Sequence, residues 1–164
     1  MAIRTLLRYP DPLLRQLTEP VTAFGPALEA LAGDLLETMR AAPGIGITGP
    51  HIGVFQRITV IELSPEDGVR IYVNPEIVWS SADTVRHTEG SVSMPGVTEE
   101  VGRPARVRMR FQDVKGVWHE DEAEGLLSIC LQHEIDQLDG IFWIQRLSRL
   151  KRERVIKRFG KLGD

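Results

Sequence analysis

Gln132-His133-Glu134-Ile135-Asp136-Gln137 places an imidazole beside a carboxylate within a stretch of helical periodicity. A helix carrying His-Glu-x-x-His sets two imidazoles one turn apart on one face, where they can bind a metal ion beside a glutamate general base. In this chain the second of those positions is Gln137. His133-Glu134 alone is equally what an ordinary hydrogen-bonded helix residue and its neighbour look like. Two further segments hold candidates: Gly44-Ile-Gly-Ile-Thr-Gly-Pro-His51, and Glu89-Gly-Ser-Val-Ser-Met-Pro-Gly96, with His87 just before it. Ser91 next to an imidazole base would be an activated hydroxyl nucleophile. Its surroundings lack the Gly-x-Ser-x-Gly elbow that presents such a serine, so a merely hydrogen-bonding Ser91 is the plainer alternative.

These residues must be held by a definite set of elements. Residues 25–40 carry Leu28, Leu31, Leu35, Leu36 and Met39 at helical spacing behind Pro26, and Ala42-Pro43-Gly44 should stop that helix. Strands are expected at 57–63, 70–73, 76–80 and 106–112, the last alternating Val107, Met109 and Phe111 with three arginines. Asp113 to Gly116 is a turn into another strand around Val117 and Trp118. Residues 123–139 are helical, with Gly140 as the stop. Strands in the middle and helices at both ends argue for an α+β fold with a mostly antiparallel sheet.

Composition narrows the function classes. A length of 164 residues suits one domain, 1–164, able to bury a core without disulfides or metal. The single cysteine, Cys130, excludes an internal disulfide and fits a reducing cytosol. No apolar run approaches the ~20 residues of a membrane span. Arg4 and Arg8 interrupt the apolar N-terminus, so no signal peptide is expected and a cytoplasmic protein is. From Arg146 onward eight Lys and Arg face Glu153 and Asp164, a net of +6, leaving −9 for the rest. That segment is either a tail for an anionic surface such as RNA, or one solvated helix face whose stripe is Leu147, Leu150, Val155, Ile156, Phe159 and Leu162. Neither a membrane nor DNA is an expected partner.

In order and spacing, Gly44–His51, Glu89–Gly96 and Gln132–Gly140 resemble the three signature motifs of bacterial peptide deformylases, metal-dependent hydrolases that remove the formyl group from new N-terminal methionines. Tyr9–Arg15, Asn74-Pro75, Val101–Pro104 and Gly125–His133 extend the resemblance over almost the whole chain. It implies antiparallel sheets around a central helix bearing the His-Glu motif, with a C-terminal helix. It also implies substrate contacts from the backbone around Ile45, Gly46, Gly90 and Val92, the Val92 N–H donating to the formyl oxygen. A methionine pocket of Leu126, Ile129, Cys130 and His133 follows, for which plain helix packing is the alternative, and Cys130 is expected to be a buried core thiol. Glu134 takes the place of the general base. The basic C-terminal helix would dock on the ribosome.

The departures bear on the chemistry. The resemblance places the family's ligands for Fe2+ or Zn2+, one Cys and two His, at Ser91, His133 and Gln137, and a formyl-holding Gln at His51. Thr48-Gly49 stands where a pair of alanines is usual. A hydroxyl and an amide oxygen are neutral, weak ligands for such ions, which leaves one imidazole and an expectation of no bound metal. A displaced site built from His51 and His133 with Glu89 or Glu134 is one alternative, and metal-free chemistry another. A third is a non-catalytic peptide- or ribosome-binding protein.

Overall fold

The computed structural model describes residues 1–163. Helix α1, Pro26–Ala41, begins on its proline and turns Leu28, Leu31, Leu35 and Met39 inward. A short strand β1, Gly46–Thr48, leads into a 3-10 turn over Gly49–Ile52 that carries His51. Strands β2 (Ile58–Ile61), β3 (Arg70–Ser80), β4 (Thr84–Ser91), β5 (Met94–Pro104), β6 (Arg106–Gln112) and β7 (Trp118–Glu124) follow. Helix α2, Gly125–Leu138, and helix α3, Arg149–Leu162, complete the order, separated by a 3-10 turn at Trp143–Arg146. Five strands form one sheet in the order β1-β2-β3-β6-β7, while β4 and β5 form a separate hairpin. Every pairing between strands is antiparallel, as the α+β expectation requires.

The sheet is built where the residues favour it. On β6, Val107 and Met109 are fully buried while Arg108 pairs with Glu122 across β7 on the opposite face. Helix α2 is buried nearly all round, which is what a central helix between layers requires. It packs on the sheet through Cys130 and Leu131, against Ile61, Tyr72, Val107 and Met109. Helix α1 covers β1 and β2 through Leu35, Met39, Ile47 and Ile58. Among the described residues no helix is long and apolar enough to cross a membrane.

Two expectations change, and the helix offered for the C-terminal segment gains detail. The separate strands at 70–73 and 76–80 are one strand, β3, carried across Asn74-Pro75 by a register shift between Val73 and Glu76. Pro75 has no N–H for the ladder, and Asn74 takes φ 51° while its side chain bonds Val21 and Gln112. The segment 84–104, seen only as motif, is a long hairpin, because its Gly, Glu and Arg residues mask the period of two. The basic C-terminal segment is an amphipathic helix with an anchored face. Val155 is fully buried, Leu147 is buried, and Ile156 and Phe159 pack against the cluster of Met94, Val97 and Val101, whereas Leu150 and Leu162 stay exposed.

Candidate active site

A cleft of about 490 Å³ opens between the segment entering β1, the β4–β5 hairpin and α2. Ile45, Gly46 and His51 line it from the first segment, and His87, Gly90, Ser91 and Val92 from the hairpin. Leu126, Ile129, Cys130, His133 and Glu134 line it from α2. Gln137 is not in the lining. It is buried one turn further along α2, where its amide donates to the Leu14 carbonyl at 2.6 Å and its Oε1 has no partner among the described residues.

His133 is fixed from behind. Its Nδ1 lies 2.8 Å from Glu89 Oε1, and its Nε2 lies 3.6 Å from Glu134 Oε1. Glu89 in turn receives two bonds from Arg103, at 2.5 Å from Nε and 2.9 Å from Nη2. Arg103 also reaches Asp136 at 2.9 Å, and Asp136 accepts a two-pronged grip from Arg146. The result is a chain of alternating charge from the exposed Arg146 through buried Asp136, Arg103 and Glu89 to the cleft imidazole. Burial works against the charge on Glu89, but the bonds from His133 and Arg103 outweigh it and hold the carboxyl down at about 2. Burial likewise opposes the His133 cation, and the bond to Glu89 with the nearby Glu134 raises it above the ordinary imidazole range.

Glu134 is held differently. It is 4% exposed, packs so closely on β1 that a Cβ on Gly46 would sit 3.2 Å from its Cδ, and its Oε2 has no partner among the described residues. Burial pushes its carboxyl up to about 7, despite the opposing pull of His133. A carboxyl there can take up or release a proton near neutral pH, the property a general base needs. His51 is 1% exposed, and burial followed by the His133 charge drives it down to about 3, so it is neutral. Cys130 is buried, and desolvation followed by the charge on Glu134 pushes its thiol up to about 12, which makes it inert.

Ser91 is not set up as a nucleophile. Its Oγ accepts from the Ser93 N–H at 3.1 Å, and among the described residues neither imidazole bonds to it. His87 is exposed and donates to the Thr88 carbonyl. Among the described residues no three His, Cys, Asp or Glu side chains are grouped so as to hold a metal ion. The set of His51 and His133 with Glu89 or Glu134 is not among such groups, and both oxygens of Glu89 are taken by Arg103 and His133. Sequence reasoning passed over Thr48, Arg103, Asp136 and Arg146. Only Thr48 left a signal, since Thr-x-x-His across Gly49-Pro50 has the spacing of a capping box.

Comparison with known proteins agrees with this geometry. The family described as polypeptide deformylase matches residues 3–153. The peptide deformylase-like protein of Brucella melitensis is 61% identical over 99% of both chains. The peptide deformylase of Phenylobacterium zucineum is 48% identical over 98% of this chain and 97% of its own. The crystal structure of a peptide deformylase from Legionella pneumophila superposes with a TM-score of 0.93 at 38% identity, covering 99% of this chain and 96% of that one. On a match of this extent, in sequence and in fold, the chain belongs to the polypeptide deformylase family.

Proposed function

We propose that this protein is a deformylase-like member that keeps the peptide cleft of its family and has lost, or carries at a much reduced level, metal-dependent removal of the formyl group from N-terminal methionine. The family is a metalloenzyme family. The observation that carries the reading is the donor set at the positions corresponding to its ligands: the Ser91 hydroxyl, the His133 imidazole and the Gln137 amide. Gln137 has only a neutral amide oxygen to offer, and the Ser91 oxygen already accepts from Ser93. A catalytic Fe2+ or Zn2+ site takes three protein ligands of imidazole, thiolate or carboxylate type and leaves a place for water. These residues do not fit such an ion, and no step is routed through one.

The binding half supports the rest of the reading. Ile45, Gly46, Gly90 and Val92 flank one cleft, with Leu126 and Ile129 on the far wall. An N-formyl or other peptide N-terminus is the ligand class this suits, in the cytoplasm where nascent chains emerge. The exposed cations of α3 give the ribosome as the proposed partner. The test measures Fe, Ni and Zn in the purified protein by mass spectrometry and binding of a formyl-methionyl peptide by calorimetry. Far less than one equivalent of metal together with saturable binding is expected. Near-stoichiometric metal that disappears in His133→Ala would refute the proposal.

A second reading, slow hydrolysis without a metal, is favoured by Glu134 alone, whose carboxyl sits close to neutrality inside the cleft. Residual turnover in chelator that Glu134→Gln abolishes would establish it.

A further inference from the structure

The ring of His51 is gripped from one side by a single residue. Its Nδ1 lies 2.9 Å from the backbone nitrogen of Thr48 and 2.9 Å from the Thr48 hydroxyl oxygen. A backbone N–H can only donate, so Nδ1 carries no hydrogen and offers its lone pair. A neutral imidazole has one N–H, and with Nδ1 accepting, that proton sits on Nε2. Nε2 is buried without a partner among the described residues, on a ring that lines the cleft. Thr48 is itself fully buried at the end of β1, so its two donors are not lost to water.

The loop leaves this grip little room to relax. A Cβ on Gly49, between Thr48 and His51, would meet the carbonyl oxygens of Val54 at 2.5 Å and Gln56 at 2.8 Å. The turn is thus packed against its own returning chain, which holds Thr48 and His51 at fixed separation. A second proton on Nδ1 would face two donors, which agrees with a ring that stays neutral.

We infer that Thr48 is a positioning residue that fixes His51 as a one-way donor, with its single ring proton on Nε2, at the wall of the cleft. The inference rests on Thr48 and His51 alone, whatever ligand the cleft takes.

The experiment reads the imidazole nitrogen shifts of His51 in the full-length 15N-labelled protein at neutral pH. The wild type should show an unprotonated Nδ1 and a protonated Nε2. Thr48→Val removes one of the two donors and should raise the Nδ1–H population roughly five-fold, the value of one ordinary hydrogen bond, while Thr48→Ser restores the wild-type pattern. A wild-type ring protonated on Nδ1, or a Thr48→Val spectrum identical to wild type, overturns the assignment. The wild-type measurement stands even if Thr48→Val fails to fold.

Discussion

Replacing Arg103 with methionine removes a buried cation and leaves its volume nearly filled. Arg103 is 4% exposed and supplies two of the three side-chain bonds received by Glu89. Asp136 keeps its grip from Arg146, so the uncompensated charge falls mainly on Glu89. Breaking a buried pair by removing one partner costs about 3–5 kcal/mol. With a urea slope of about 2 kcal/mol/M, the unfolding midpoint should fall by about 2 M with the slope unchanged.

The pH dependence separates this electrostatic cost from simple loss of packing. Glu89 is held at about 2 against an ordinary 4.5, so its folded-state pKa is depressed. A depressed carboxyl contributes stability above its unfolded pKa and loses it as pH falls through the folded value. The contribution is about 3 kcal/mol at neutral pH, lost between about pH 4.5 and 2. Without Arg103 the Glu89 carboxyl rises, and acidification no longer costs the variant what it costs the wild type. Urea titrations at pH 7 and pH 3 should therefore show a gap between the two proteins that narrows in acid. A gap of the same size at both pH values would refute the charge-network reasoning, as would a midpoint shift below about 0.5 M at pH 7.

Three other outcomes follow from the same geometry. Gly49→Ala should lower stability by about 1–3 kcal/mol, seen as a fall in melting temperature of about 2–4 °C per kcal/mol, because its Cβ meets two backbone carbonyls. Neutralising the exposed Arg154, Lys157 and Lys161 to Gln should weaken ribosome co-sedimentation and flatten its salt dependence, by roughly one logarithmic unit for each phosphate no longer neutralised. Deleting 148–164 is no clean test, since α3 packs with Met94 and Val97 and both line the cleft. Ser91→Cys with Gln137→His should bind Fe2+ or Zn2+ by mass spectrometry, because the introduced imidazole can donate one ring N–H to the Leu14 carbonyl and turn its other nitrogen to the ion. Adding His51→Gln should raise turnover of a formyl-methionyl peptide by ~10² to 10³ only if the His51 ring cannot donate to the oxyanion, and Glu134→Ala should then cost ~10² or more.

What the sequence disclosed follows the range of each interaction. The 106–112 strand was legible because alternation is a local pattern, and β6 spans those residues. The apolar spacing in 25–40 and the stop at Pro43-Gly44 located α1 to within a residue or two at each end. The β4–β5 hairpin was not legible, because Glu89 and Arg103 occupy inward positions that a period-two reading takes for solvent. Their burial is explained only by each other, across fourteen residues of chain, and by Asp136 on another element. No local window contains a buried ion pair of that kind.

The cleft shows the same division. Its lining came from motif residues that resemblance alone could group, since Ile45, Ser91 and His133 are far apart in sequence and meet only through the fold. The state of each group was set by contacts across the fold that the motifs do not spell out. Glu134 lies near neutrality because it is buried against Gly46, and His51 is a neutral ring because it is buried beside the His133 charge. His133 keeps a fixed direction through Glu89 and Arg103, a support that does not depend on what stands at Ser91 or Gln137. Arg103 is buried, and a buried guanidinium is costly to desolvate unless carboxylates such as Glu89 and Asp136 accompany it. With each of its buried charges answered by a counter-charge, that support holds the His133 ring at the wall of the cleft whatever ligand the cleft takes.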